Sequence, residues 1–335
     1  MKKLLGSLVM SVALGWSFSA AADPVHLKFA FANPDTDTIW VSTIKPFIDK
    51  INAVDPTKLV IDGFPNGALG KNLAQQPQLV QSGVADIAFV IPSVTPGRFA
   101  DTDVLGLPGL FSSLAESTAV HTAMAEAGDF DSYKDFFVLG AFGSDPFSIH
   151  TVKPVASLDD LKGMKIRSAG GIQSHVLQSL GATPVFMGFP DVPEALGRRN
   201  LDGVAIQLVP LLDQHLTRIV TQHYFMDVGG SPIAMLMNKA KFDSLPADVQ
   251  QILTDHRHDM ADFYTAAFAK RDADILRDLG TDAKQKMVIP SPADKTRIDA
   301  AYADEIKAWT GGDAAKEGLL TKLRDELQTV QDGNK

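Results

Sequence analysis

Short apolar runs alternate along this chain with longer stretches in which apolar side chains recur every three or four residues. The runs at residues 26–33 (HLKFAFAN), 58–64, 83–92, 136–143, 147–152, 183–187, 203–208, 223–229 and 233–238 read as buried strands. Residues 164–166 (MKI) form one more short strand-like run. Between them, residues 117–128 (STAVHTAMAEAG) read as a helix stopped by Gly128. This alternation predicts an α/β protein with mainly parallel sheets, covered by helices on both faces. From Pro246 to Gly280 breakers disappear, and Val249, Ile252, Leu253, Met260, Phe263 and Ala267 keep helical spacing. A single helix there would be ~50 Å long at 1.5 Å per residue, enough to run along two domains. Further helices are predicted near residues 295–309 and 314–331.

The beginning of the chain has a different character. Lys2 and Lys3 precede an apolar run from Leu4 to Phe18, and Ser19-Ala20-Ala21-Ala22 then offers a small-residue cleavage pattern before Asp23. These are the three parts of a secretory signal peptide. A membrane anchor would need about 20 apolar residues. Cleavage near Ala22 and export to the periplasm are expected, and residues 1–22 are set aside in fold reasoning. The 335-residue length suits about two domains. No low-complexity tether separates them, so crossing strands are expected to join them. The net charge of -9 argues against a nucleic-acid partner, which would call for a basic stripe. With no cysteine, the chain has no thiol nucleophile, disulfide framework, iron–sulfur cluster or lipidated anchor.

Candidate chemistry is sparse. GFPNGALGKN (residues 63–72) has Gly70-Lys71 but Pro65 and Asn72 where a phosphate loop needs glycine and a hydroxyl. There is no nucleophile elbow and no His-Glu-x-x-His zinc pattern. His256 and His258, two apart on the predicted helix, are poor zinc partners and read as solvated. No cofactor, metal or catalytic residue is assigned. Arg167 stands out. It ends the strand-like run of KIRSAGG and precedes a helix predicted from about Gly171. A guanidinium at a strand's C-terminal end reaches the crevice where open α/β sheets bind ligands. The free N–H groups of the next helix would add to an anion site there. The residues alone leave two readings open, an anion site and a surface loop arginine.

The surrounding stretch, SLDDLKGMKIRSAGG…LGATPVFMGFPDVPEALGRRNLDGV, resembles the solute-binding proteins of tripartite ATP-independent periplasmic (TRAP) transporters, the DctP-type family. Asp160-Leu161-Lys162-Gly163, Lys165-Ile166-Arg167, Leu180-Gly181-Ala182, Glu194-Ala195-Leu196 and Asp202-Gly203 follow that family's order and spacing. FPNGALG, SGVADIAF, TPGRF and MNKAKFDSLPADVQQIL extend the resemblance over nearly the whole mature chain. It implies a two-lobed clamshell with a long helix across both lobes, closing on a solute. The loaded protein would then dock on a membrane permease driven by an ion gradient. The implied division is residues 23–147 plus about 234–275 for one lobe and 148–233 plus about 276–335 for the other. The implied role of Arg167 is to pair with a ligand carboxylate. Phe189, Ile206 and Gln207, with Leu208 beside them, would line the pocket from one lobe, and Asn33 and Ser93 would face it from the other. Trp40 is expected to pack the first helix, and Arg98 to be structural.

Two departures from the family pattern narrow the expectation. Phe147 stands where receptors for acidic sugars carry a second arginine, and Val204-Ala205-Ile206 follows the Asp-Gly pair where polar residues are common. Both remove polarity. The expected ligand is an organic acid, with a monocarboxylate of apolar or aromatic body favoured over a C4-dicarboxylate. The expected partners are that acid and the permease subunits, with the receptor itself a monomer. The alternatives are a receptor for an ATP-driven importer and an exported α/β enzyme.

Overall fold

The computed structural model describes residues 23–95 and 97–333, so the expected leader and its cleavage site lie outside the described residues. The strands, in chain order, are β1 (Val25–Ala30), β2 (Leu59–Phe64), β3 (Ile87–Val90), β4 (Phe136–Phe142), β5 (Ser148–Thr151), β6 (Lys165–Ser168), β7 (Thr183–Phe186), β8 (Gly203–Ile206), β9 (Gln222–Tyr224), β10 (Ile233–Asn238) and β11 (Lys286–Val288). The α-helices are α1 (Lys45–Val54), α2 (Gln76–Gln81), α3 (Leu114–Ala127), α4 (Gly171–Ser179), α5 (Val192–Gly197), α6 (Leu208–Asp213), α7 (Lys239–Asp243), α8 (Ala247–Asp255), α9 (Asp259–Thr281), α10 (Pro292–Thr310) and α11 (Ala314–Gly333).

The strands form two sheets, one per lobe, in the orders β2-β1-β3-β10-β4 and β11-β9-β5-β8-β6-β7. In each sheet a parallel set is joined by antiparallel strands: β10 runs against β3 and β4, and β5 against β8 and β9. The cause is the path of the chain. It leaves the first sheet after β4 and enters the second as β5, then returns from β9 to β10. The two crossing segments pair with each other. Phe147 N–H donates to Gly229 O at 3.1 Å, and Val228 N–H donates to Phe147 O at 3.0 Å.

Both central strands of the first sheet are buried on both faces. Ile87, Phe89, Met235 and Met237 point into one apolar cluster, and Ala88, Val90, Ala234 and Leu236 into the other. This two-residue alternation is what a sheet covered on both sides requires. In the second sheet Ile149, Ile166 and Ala205 face one cluster, and Val204 and Ile206 the opposite one. Burial of each large side chain stabilises the fold by about 1.5–3 kcal/mol. Helix α3 ends as expected, with Gly128 at φ 75° accepting the left-handed cap.

The helix expected over residues 246–280 is interrupted. Helix α8 stops at Asp255, a turn occupies residues 256–258, and α9 starts at Asp259. His256 Nδ1 and Asp259 Oδ2 lie 2.6 Å apart across the break. Arg257 Nε donates to Val138 O at 3.1 Å, and its guanidinium lies 5.2 Å from the Phe137 ring centroid. Anchoring this turn to β4 re-aims the chain without glycine or proline. His256 and His258 therefore sit in a turn and not on a helix, and His258 pairs with Glu126 at 3.1 Å.

Of the two helices, α9 is the one that connects the lobes. Its buried stripe (Met260, Tyr264, Phe268, Ile275, Leu279) joins the first lobe's core, while it also touches α6 and β11 of the second sheet's side. Helix α10 bridges as well, with Ile298 and Ala301 in one core and Trp309 in the other. Helix α11 packs on α3 through Leu320 and Leu323, beside the first sheet, although residues 276–335 were expected with the second. Strand β11 was not expected: it is three residues long, mostly exposed on a sheet edge, and its short apolar stretch at Met287 and Val288 is too brief to read as a buried strand.

Candidate ligand-binding site

The lobes enclose a cavity with an empty volume of about 850 Å³, its open mouth included. Arg167 forms part of its wall. It lies in β6 next to Ile166, and successive strand residues point to opposite faces, so Ile166 enters the core and Arg167 does not. Only 3% of Arg167 is exposed. Its Nε donates to Met187 O at 3.1 Å and its Nη1 to Ala205 O at 3.3 Å. The guanidinium stands 5.8 Å from the Phe189 ring centroid. Among the described residues no carboxylate lies within ion-pair distance of it. Burial alone lowers its pKa to about 10, which still leaves it charged at neutral pH. A buried cation held only by carbonyls and a ring is costly unless an anion joins it.

Of the residues singled out from sequence, Asn33, Phe147, Arg167, Phe189, Ile206 and Gln207 all line this cavity. Phe147 immediately precedes β5, is buried in the core of the second sheet and also lines the cavity. Ile206 is held in place by the His150–His223 pair. His150 Nε2 contacts Ile206 O at 3.2 Å, and the two Nδ1 atoms lie 2.8 Å apart. Burial, reinforced by the neighbouring His223, pushes His150 down to about 3, and burial lowers His223 as well, so the His150 ring is neutral scaffolding.

Ser93 is placed elsewhere. It lines an adjacent cavity together with Gly170, Gly171 and Ser174, and its hydroxyl meets Ser231 Oγ at 2.5 Å. The N-terminus of α4 opens on that same neighbouring cavity, which corrects the expectation that it faces the Arg167 site. The turn after β6 carries the helix start to the other side of Ala169, the residue of this turn that still touches the main cavity. Trp40 stacks on Phe31 at 5.5 Å, outside the cavity lining, and Arg98 lies over the Phe99 and Phe136 rings, both as expected of packing residues.

Several lining residues were not read from sequence. Tyr264 and Phe268, on α9, carry only a helical core signal, and their packing on each other at 4.2 Å gives the cavity an aromatic wall. Asp37 and Asp213 line it too. Asn33 Nδ2 donates to Asp37 Oδ2 at 3.0 Å, and Ile39 N–H to Asp37 Oδ1 at 2.8 Å. Thr38 N–H donates to Asp213 Oδ2 at 3.4 Å, tying the end of α6 to the loop after β1. Burial, with a smaller push from Asp213, raises the Asp37 carboxyl to about 6. Among the described residues no three His, Asp or Glu side chains are grouped to hold a metal ion, and no helix is long and apolar enough to cross a membrane.

The family model for bacterial extracellular solute-binding protein family 7, DctP, matches residues 30–310. The chain belongs to this family. It is a periplasmic solute receptor of the TRAP type, and neither the family nor its solved neighbours are enzymes. The receptor is 26% identical, over 97% of its length and 94% of the relative's, to the C4-dicarboxylate-binding periplasmic protein DctP of Rhodobacter capsulatus. It superposes with a TM-score of 0.84 and 25% identity on a marine metagenome TRAP solute-binding protein specific for aromatic acid ligands, solved with 3-hydroxybenzoate. That match covers 92% of this chain and 99% of the other. A TRAP solute-binding protein from Rhodoferax ferrireducens gives the same TM-score at 23% identity, over 93% and 100% of the two chains, and shares the fold. The receptor is thus a two-lobed α/β clamshell whose partners are a small molecule and a membrane permease.

Proposed function

We propose that this receptor captures an organic monocarboxylate with an apolar or aromatic body and delivers it to its permease. The observation that carries the reading is the buried Arg167 guanidinium, without a carboxylate partner, in the wall of an otherwise largely apolar cavity. Arg167 takes the ligand carboxylate; its planar fork matches two carboxylate oxygens. Phe147, Phe189 and Ile206 hold the body, with Gln207 and Asn33 as polar neighbours, while Ser93 acts only through Ser231. The aromatic-acid specificity of the metagenome relative supports this choice. A second acid group finds no support, since Arg167 is the only cation among the described lining residues. On the same reading the leader is removed near Ala22, the receptor works as a monomer, and its lobes divide with the two sheets.

A thermal-shift and calorimetric screen of benzoate, phenylacetate, succinate and malate tests this. A ligand at 100 times its Kd adds about 2.7 kcal/mol of apparent stability. Aryl monocarboxylates should give that response. Tight binding of succinate or malate, with none of the monocarboxylates, overturns the assignment.

A further inference from the structure

The cavity has a second polar pole. We propose that Asp37 and Asp213 read the end of the ligand remote from its carboxylate, so that preferred ligands carry a hydroxyl or amino donor there. This rests on the reading of Arg167 as the carboxylate clamp.

The two aspartates reach the cavity from separate elements, Asp37 from the loop after β1 and Asp213 from the end of α6. The hydrogen bond from Thr38 N–H to Asp213 Oδ2 brings them to one place. Neither is paired with a lysine or arginine among the described residues. Their partners, among them the backbone N–H groups of Ile39 and Thr38 and the Asn33 amide, orient the carboxylates without neutralising them. Among the described residues neither aspartate lies within ion-pair distance of the Arg167 guanidinium, which lines the same cavity but is held by Met187 O and Ala205 O beside the Phe189 ring. Phe189 stands at the arginine end, and Tyr264 and Phe268 of α9 line the cavity with the two aspartates.

The chemistry follows from that separation. A carboxylate is an acceptor only, so it rewards a donor and repels a second anion. An apolar edge placed against it would strand a desolvated acceptor, whereas a hydroxyl or ammonium satisfies it. Sites built to hydrogen-bond a ligand group discriminate strongly against analogues that lack it. The same pair supplies repulsion against dicarboxylates, so selectivity comes from both attraction and exclusion.

Calorimetry on the full mature receptor tests this with benzoate and phenylacetate, their 3- and 4-hydroxy and 3- and 4-amino derivatives, and the matching aryl dicarboxylates. At least one donor-bearing acid should bind tenfold or more tighter than its parent, and the dicarboxylates weaker than the parent. Asp213→Ala and Asp37→Ala should each shrink the donor preference about tenfold, part of it by letting the parent acid, which no longer strands a carboxylate, bind more tightly. Asp37→Asn and Asp213→Asn keep the acceptor of the backbone N–H and should bind the dicarboxylates more tightly than wild type. If the parent acid binds as well as every derivative, or the variants keep the wild-type preferences, the aspartates do not read the ligand, and the carboxylate clamp stands alone. If no aryl monocarboxylate binds, both readings fall.

Discussion

The Arg167 guanidinium faces the Phe189 ring at 5.8 Å while its Nε and Nη1 are held by the carbonyls of Met187 and Ala205. The charge is therefore oriented before ligand arrives, and its remaining donors are committed to no acidic side chain. Arg167→Ala should cost about 2–5 kcal/mol of affinity, the usual penalty for removing one member of a buried charge pair. Arg167→Lys should also bind poorly, because the fork is lost. Arg167→Met should abolish binding yet leave the ligand-free protein equally or more heat-stable, since it removes an uncompensated buried charge. Near wild-type affinity in any of the three, measured by calorimetry, refutes the clamp.

Phe189 touches the charge without belonging to the sheet core, being half-buried in the turn after β7. Phe189→Leu keeps the apolar bulk and removes the ring face. An affinity loss of about 0.5–2 kcal/mol is expected, the range of a cation–π contact in a partly desolvated place. The melting temperature without ligand should barely move. A large drop in that temperature would make Phe189 a packing residue instead.

Gly229 sits at φ 100° in the returning crossover, and a Cβ there would meet Gly106 O at 2.4 Å. Gly229→Ala combines a disfavoured backbone with a clash against main chain, which cannot swing aside as a side chain would. A loss of about 1–3 kcal/mol is expected. Scattering profiles should show the lobe spacing altered relative to wild type. An unchanged denaturation midpoint would mean that the crossover relaxes freely.

Asp145, in the outgoing crossover, and Asp272, on α9, share a buried place where Asp272 Oδ1 has no hydrogen-bond donor. Burial, with the neighbouring Asp145 carboxyl, raises Asp272 to about 8. The folded chain thus keeps a proton that the unfolded chain, near pKa 3.9, gives up. That contribution to stability is present at low pH and is lost as pH rises through about 8, with a slope of at most about 1.4 kcal/mol per pH unit. Asp272→Asn should be increasingly stabilising, relative to wild type, between pH 5 and pH 9 in thermal melts. A pH-independent difference would show that the two carboxyls are not sharing a proton.

Strands β1 to β10 and Arg167 were legible because each is a local statement: a buried strand is a short apolar run, and a strand-end arginine before Ser-Ala-Gly-Gly stands beside its own motif. Phe189, Ile206 and Gln207 were legible through the family register, not through any periodicity. Asp37 and Asp213 were not, since nothing in DTDTIW or LLDQH says that α6 returns to the loop after β1. Tyr264 and Phe268 looked like core and are core; that one edge also faces the cavity depends on where α9 crosses. The break at residues 256–258 was invisible because it is imposed by Arg257 reaching Val138, a contact 119 residues away.

Strand β10 occupies the middle of the first sheet, between β3 and β4, although it comes from residues 233–238. A nascent chain therefore holds that sheet in two pieces, β2-β1-β3 and β4, until about two-thirds of the polypeptide is available. Neither piece has both of its neighbours, and closing such long loops is slow. The order of assembly is thereby set against early folding: the amino-terminal half stays threadable while the chain is still being moved, and it consolidates only when the returning strand slots in.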